Sequence, residues 1–376
     1  MNYFVATETY WSNRTLLFYM FVIIFPFLLM SLPIRNTKMT LRRNHRMPMQ
    51  LLIVLILLLL VKGVGSTGAD LRGGYYDNFL SATSINGMLD TSLEIGYRVL
   101  NVLCYNLTGR YSFFIFCVGL LTVLPVIWII NSNRNQVDLN VAIIMYISIY
   151  FFPGLSGLRL YIAASISLFV YDALMKKDNK RAILFLFIAL AFHRTAFFLL
   201  LPIMITMFRK YIKEKMVPII FVGSMLVLYL ARFVLESFTV SSGRYYKYFA
   251  EDRVHIGLEQ FVYYVPLFAI YYLGKKHEKN QYINYLNMTF LWSFFAFGIY
   301  GYIFTALGRL MAYSIWLIII IPYYSKMIKK GHNLAWRILF DGVVLFYCLS
   351  RFIIYIVQYY EIERIMPYTN FLGMIV

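Results

Sequence analysis

Followed along the chain, apolar and polar positions do not alternate with the period of an ordinary soluble fold. They segregate into long hydrophobic runs broken by short charged loops. Twelve runs of about 13–22 residues stand out by window hydropathy. They lie near residues 15–32, 47–64, 111–130, 139–153, 159–175, 181–193, 195–208, 216–234, 260–274, 283–304, 308–325 and 338–357. A helix needs about 20 residues to cross the hydrocarbon of a bilayer. The pattern therefore predicts an all-α polytopic membrane protein with about 12 transmembrane helices. Runs 181–193 and 195–208 are short for a full crossing. They predict a pair of short or re-entrant helices with Phe192-His193-Arg194-Thr195 at the turn. Such a break is tolerated where protein or a water-filled cavity covers the exposed backbone.

Composition sharpens this picture. Of 376 residues, 61% are apolar, 19% aromatic and only 14% charged, and the mean hydropathy is +0.68. Soluble domains carry roughly 45–50% apolar and about 25% charged residues, so a soluble enzyme, a disordered chain and a secreted disulfide scaffold are excluded. Twelve crossings leave too little chain for a separate soluble domain, which predicts one integral membrane domain over residues 1–376. The net charge of +18 would suggest nucleic acid in a soluble protein, but no nucleic-acid-reading motif is present. Lys and Arg instead gather in alternate loops, as cytoplasmic loops do: Arg35–Arg46, Arg134, Lys176–Arg181, Arg209–Lys215, Lys275–Lys279 and Lys326–Arg337. All six clusters share one side if both termini lie on the other. The opposite face then carries segments of about 65–110, 235–259 and 358–376. The first apolar run has no small-residue cleavage site and flows into a basic loop, so no signal peptide is expected.

The basic residues left over differ in kind. The cytoplasmic clusters are mostly Lys, whereas the remaining fourteen are Arg apart from Lys62 and Lys247. Topology needs only charge. Arg adds a planar fork that grips phosphate through two parallel hydrogen bonds. Arg159, Arg309 and Arg351 lie within or at the ends of apolar runs, where a cation costs about 2.5–3.5 kcal/mol on insertion scales. Together they suggest an outward-facing site for a lipid-borne phosphate or pyrophosphate; the plainer alternative is that each snorkels to headgroups or pairs with a carboxylate. The first outer segment reads Gly68-Ala69-Asp70-Leu71-Arg72-Gly73-Gly74-Tyr75-Tyr76-Asp77, then Leu93-Glu94-Ile95-Gly96-Tyr97. Carboxylates, glycines and tyrosines in this mixture suit sugar recognition, and an ionised carboxylate is a candidate base toward a hydroxyl. Ser241-Ser242-Gly243-Arg244-Tyr245-Tyr246-Lys247-Tyr248 repeats the theme. Interfacial belts explain many of the 33 tyrosines. His193 is the one histidine inside a run, and serves either as base, phosphate ligand or packing residue. Cys104, expected in a loop, and Cys117 and Cys348, inside apolar runs, show no metal-ligand spacing. No HExxH, DxD, P-loop or GxSxG occurs, and neither metal nor cofactor is expected.

Taken in order, these motifs resemble a known family. They are the GxD and tyrosine pair of the first outer loop, Glu94-Ile95-Gly96-Tyr97, Pro153-Gly154-Leu155-Ser156-Gly157-Leu158-Arg159, Ala191-Phe192-His193-Arg194-Thr195-Ala196, Gly308-Arg309 and Met366-Pro367-Tyr368. Over about residues 50–370 the chain resembles the EpsG-like branch of the Wzy-type polymerases of bacterial O-antigens and exopolysaccharides. Lys62 stands where the pattern has Arg, and Arg194 where a small residue follows the His. The resemblance implies a helical core like that of GT-C membrane glycosyltransferases, in the bacterial inner membrane with periplasmic termini. It implies transfer of a growing glycan from undecaprenyl pyrophosphate to the non-reducing end of a new lipid-linked repeat unit. Partners would be that lipid-linked oligosaccharide, membrane lipids and a chain-length regulator.

On this reading Arg72, Arg159, Arg244 and Arg309 hold the pyrophosphate, and Tyr75, Tyr76, Tyr97 and Tyr245 hold sugars. Asp70 or Asp77 is the base, Glu94 is held in reserve, and His193 is a second base or a pyrophosphate contact. A flippase for the same lipid, an O-antigen ligase and a small-solute transporter are the rival readings. A flippase needs cations along a cavity open to both sides, and a ligase usually carries a longer late outer loop.

Overall fold

A computed structural model describes residues 9–32, 47–72, 74–83, 93–239 and 259–370. Among these residues the chain is helical, with a single isolated β-bridge between Gly65 and Asn370. The elements are α1 (Asn13–Ser31), α2 (Met49–Val64), the short α3 (Ala69–Arg72) and α4 (Tyr75–Leu80), α5 (Ile95–Thr108) and α6 (Tyr111–Ser132). Next come α7 (Leu139–Met145) with a π-helical continuation (Tyr146–Phe151), α8 (Pro153–Ser156), α9 (Leu158–Met175) and α10 (Asn179–Phe192). A 3-10 segment (Arg194–Leu199) leads into α11 (Leu200–Met207), and α12 (Met216–Thr239), α13 (Glu259–Lys275) and α14 (Gln281–Ile303) follow. A long 3-10 segment (Thr305–Trp316) then joins α15 (Leu317–Lys329), and α16 (Leu334–Tyr359) closes the bundle.

Each of the twelve apolar runs coincides with helix. Among the described residues, six helical stretches are long and apolar enough to cross a bilayer: Asn13–Ser31, Tyr111–Ser132, Leu158–Met175, Gln281–Ile303, Leu307–Lys329 and Leu334–Tyr359. Others are shorter, α10 among them: its 14 residues reach only about 21 Å at 1.5 Å per residue. The expected break falls where the sequence placed it. α10 stops at Phe192, His193 is extended (φ −156°, ψ 123°), and the chain resumes in a 3-10 turn at Arg194.

Two departures concern the first outer segment. Residues 95–108, expected as loop, form α5. Cys104, expected in that loop, is buried in α5. The run is amphipathic, with Tyr97, Asn101 and Cys104 on the packed side, so an apolar-run criterion passes over it.

The core is a continuous layer of aliphatic and aromatic side chains centred on α6, α7, α9, α14 and α15. α2 packs on α6, α9 on α10, α12 on α14 and α13 on α15. One cluster of polar side chains inside this layer pairs across three helices. Tyr171 of α9 donates to Asn287 of α14, Asn287 donates to the Tyr324 hydroxyl of α15 (3.0 Å), and Tyr324 donates to Asn284 (2.8 Å). Interhelical hydrogen bonds of this kind fix which helices meet where lipid supplies little hydrophobic discrimination.

The bundle has two chemically distinct poles. At one, Lys329 is buried between Asp138 and Asp341, and Lys326 donates to the carbonyls of Arg134, Asn135 and Val137. Arg209 stacks on Tyr282 beside Lys177, and Lys275 pairs with Glu214. Caps from Asp138, Asp178, Asn280 and Asn333 start α7, α10, α14 and α16 there. Five of the six basic clusters thus share one pole; the sixth, Arg35–Arg46, and the segment 240–258 lie outside the described residues. α9 and α10 run between this pole and the other, where the candidate site lies.

Candidate active site

The site pole is assembled from segments far apart in sequence, and its construction begins with the turn that carries Asp70. After α2 the chain is held by a strap from the C-terminal end. Ser66 N–H donates to Thr369 O (2.8 Å), Gly68 N–H to Arg364 O (3.1 Å) and Ala69 N–H to Glu363 O (2.9 Å). Thr369 N–H in turn donates to the Thr67 hydroxyl (2.7 Å). Gly68 has φ +129°, and a Cβ there would run into the Leu155 carbonyl, so glycine is required on both counts. The turn then lies against α8. Ala69 N–H donates to Ser156 Oγ (3.3 Å), and Asp70 Oδ2 accepts from the backbone N–H of Leu158 (3.1 Å). A carboxylate from outside the helix thereby caps the N-terminus of α9, where unpaired N–H groups and the helix dipole favour negative charge. Burial raises the pKa of Asp70 above its ordinary 3.8; the Leu158 N–H and the Arg159 charge pull in the other direction.

Arg159 follows at the second position of α9. Its Nε donates to the Tyr75 hydroxyl (2.7 Å), and its Nη1 forms an ion pair with Glu94. The guanidinium carbon lies 5.3 Å from the Tyr75 ring centroid and 5.8 Å from that of Tyr97, within cation–π range. Glu94 stands at the position that opens α5 without a side-chain capping bond, and its second carboxylate oxygen accepts the backbone N–H of Arg194 (3.3 Å). This contact needs α5 pressed against the end of α10: a Cβ on Gly96 would approach the Ala191 carbonyl to 2.8 Å. The glycine of Glu94-Ile95-Gly96-Tyr97 therefore serves backbone approach, and through it the carboxylate reaches the helix break.

At that break His193 Nδ1 and the Thr195 hydroxyl are 2.6 Å apart. Thr195 donates to the Tyr313 hydroxyl (3.2 Å), which also lies 3.5 Å from His193 Nδ1. Glu94, Arg159 and Arg309 all lie within electrostatic range of the histidine. Arg309 is exposed on the 3-10 segment and has no ion-pair partner among the described residues. Irregular backbone on both sides, 193–199 and 305–316, is what brings His193, Thr195, Arg309 and Tyr313 to one place.

The structure thus brings together Asp70, Tyr75, Glu94, Tyr97, Arg159, His193 and Arg309 of the residues singled out in the sequence. Others are placed differently. Tyr97 is fully buried, packed edge-on against Tyr75 (5.5 Å) and Phe114 (5.6 Å), so it supports the arginine and offers no face to a sugar. Tyr76 packs on Tyr111 (5.1 Å), and Asp77 is exposed on α4, apart from the contacts around Arg159. The side chain of Arg72, and all of Arg244 and Tyr245, lie outside the described residues. Arg159 has carboxylate and tyrosine partners already, so any phosphate must compete with Glu94. Sequence reasoning missed Ser156 and Tyr313. A tyrosine inside an apolar run reads as core, and only the backbone break after Phe304 hints otherwise. Among the described residues no three His, Cys, Asp or Glu side chains gather as a metal cage.

A family model described as the EpsG family matches residues 49–370, most of the chain and every segment that builds this site. The chain belongs to the EpsG family. No curated protein and no solved structure matches it. Family membership and the apolar helices together make this EpsG-family chain a multi-pass membrane protein with a glycosyltransferase-like, polysaccharide-polymerase-like role.

Proposed function

We propose that this EpsG-family protein is a polymerase of lipid-linked glycan repeat units, acting at the pole built around Glu94 and Arg159. The donor is a growing glycan on undecaprenyl pyrophosphate, and the acceptor is the non-reducing-end sugar of a new lipid-linked unit. The observation carrying this reading is the Glu94–Arg159 pair itself. It is a carboxylate and a phosphate-competent guanidinium in contact, flanked by Arg309 and His193, at the pole opposite the Lys-rich loops.

In this mechanism the donor pyrophosphate replaces Glu94 as the partner of Arg159, and Arg309 adds a second positive charge. The released Glu94 carboxylate accepts the proton of the acceptor hydroxyl, whose oxygen attacks the anomeric carbon. The bond from that carbon to the pyrophosphate oxygen breaks, and its electron pair leaves on the pyrophosphate. The guanidinium groups stabilise this charge as it grows. Glu94 is favoured over Asp70 as base because Asp70 is committed to capping α9. Arg244 is assigned to the same anion, Tyr75 to the edge of the sugar site, and His193 to the pyrophosphate side. The Lys-rich pole faces the cytoplasm of a bacterial inner membrane, and the site faces the periplasm.

Deleting the gene and running the strain's surface polysaccharide on a gel tests this reading. A single repeat unit in place of the ladder supports a polymerase. Loss of every repeat indicates a ligase or flippase, and an unchanged ladder indicates a transporter.

A further inference from the structure

One intramembrane cation takes no part in that site. Arg351 lies 17 residues into α16, roughly 25 Å along the helix axis at 1.5 Å per residue, which places it well inside an apolar helix. Its guanidinium carbon sits 3.0 Å from the ring centroid of Tyr263 on α13. Tyr347 ties the same two helices together, its hydroxyl donating to Tyr263 O (3.1 Å). Yet Arg351 Nε and Nη1 are buried without a hydrogen-bond partner among the described residues. A cation–π contact compensates only part of what a desolvated guanidinium loses.

The unpaired groups continue beyond it. Tyr347, Arg351, Tyr355 and Tyr359 recur every fourth residue, so they form one stripe along α16. Among the described residues the Tyr355 hydroxyl is buried and unpartnered, as is that of Tyr146 on the π-helical turn that packs against α16. Tyr355 lies within electrostatic range of Glu363, the residue whose carbonyl holds Ala69 next to Asp70. The stripe therefore leads from the interior of α16 to the strap beneath the candidate site. A buried polar group left unpaired costs about 1–3 kcal/mol. Unpaired groups on one helix, one of them a cation, call for an explanation, and a polar ligand would supply the missing hydrogen bonds.

We propose that the Arg351 stripe of α16 binds the phosphate of a membrane-embedded lipid. Resting on the polymerase reading, we assign that lipid as the second lipid-linked substrate, the acceptor. The reaction consumes two such molecules, and the pole around Arg159 accounts for the phosphate of one. In this arrangement the acceptor phosphate occupies Nε and Nη1 of Arg351, and its glycan follows the tyrosine stripe toward Glu94.

Native mass spectrometry of the full-length protein in detergent, titrated with undecaprenyl phosphate, tests this. Wild type is expected to bind two molecules, and Arg351→Gln one, with at least a 10-fold loss at the second site. Tyr355→Phe, which keeps the ring and removes only the unpaired hydroxyl, is expected to weaken the same site a few-fold at an unchanged thermal midpoint. Unaltered binding of two molecules by both variants overturns the proposal. Equal displacement by phosphatidylglycerol overturns the acceptor assignment, because the stripe is then a site for bulk lipid phosphate. Failure of the polymerase reading looks different: two molecules still bind, Arg351→Gln still removes one, and no glycan is made.

Discussion

Replacing Glu94 by Gln is the perturbation that bears most sharply on the proposed chemistry. Gln keeps the size and one hydrogen-bonding oxygen but removes the charge that holds Arg159. The pair is partly shielded, with side-chain exposures of 19% for Arg159 and 9% for Glu94. A charge-assisted hydrogen bond of this kind contributes about 1.5–3 kcal/mol, and the residual exposure places the value toward the lower end. A double-mutant cycle of Glu94→Gln and Arg159→Gln, followed by unfolding of the purified protein, should therefore show coupling of about 1–2 kcal/mol. The kinetic signature is more specific. Because Glu94 competes with the donor pyrophosphate for Arg159, Glu94→Gln should lower KM for the donor. It should also lower kcat by about 100-fold or more, the usual contribution of a general base. Arg159→Gln should instead raise KM. Stability effects that add to within about 0.5 kcal/mol, or a Glu94→Gln enzyme with unchanged kcat, would refute the reasoning.

Other consequences can be checked separately. Burial holds the pKa of Asp70 above its ordinary 3.8, so the folded protein binds more protons than the unfolded chain just above that pH. Wild-type stability should fall as pH rises through this window, and Asp70→Asn should flatten the slope of thermal midpoint against pH; an unchanged slope would assign it to other groups. Gly68→Ala forces a side chain into positive φ and against the Leu155 carbonyl, so polymerisation should drop steeply while helix content by circular dichroism holds. Lys329→Met leaves Asp138 and Asp341 facing each other without their cation. It should destabilise the bundle by about 3–5 kcal/mol, read as a loss of folded protein in detergent, and Asp341→Asn in the same chain should restore part of it.

What could be read from the sequence follows from which interactions leave a periodic trace. Long apolar helices do, because lipid demands an unbroken apolar run: all twelve runs are helical, and among the described residues six are long enough to cross a bilayer. The break at His193 was legible from the shortness of its two flanking runs. Helix α5 was not, since its apolar positions cover only one face, and Cys104 went with it. In the candidate site, Arg159 and Arg309 stood out as cations with no topological duty, and Asp70 and Glu94 as carboxylates set among glycines and tyrosines. Their partnerships did not. Nothing local reveals that Asp70 caps a helix 88 residues away or that Glu94 meets the backbone of Arg194. Gly96 shows why: its role is to let two helices approach, and that approach exists only in the folded bundle. Tyr97 was misread because a tyrosine near a membrane surface and a buried tyrosine beneath an arginine look alike in sequence.

The central claim is that this EpsG-family chain joins lipid-linked glycan units at the Glu94–Arg159 pole. The most direct measurement is reconstitution of the purified protein with a single undecaprenyl-pyrophosphate-linked repeat unit, following both glycan length and the lipid. The account predicts a ladder of products and one undecaprenyl pyrophosphate released per linkage formed, with both signals lost together in Glu94→Gln. Intact lipid-linked units and no ladder from wild-type protein, or a ladder that Glu94→Gln leaves unchanged, would contradict it.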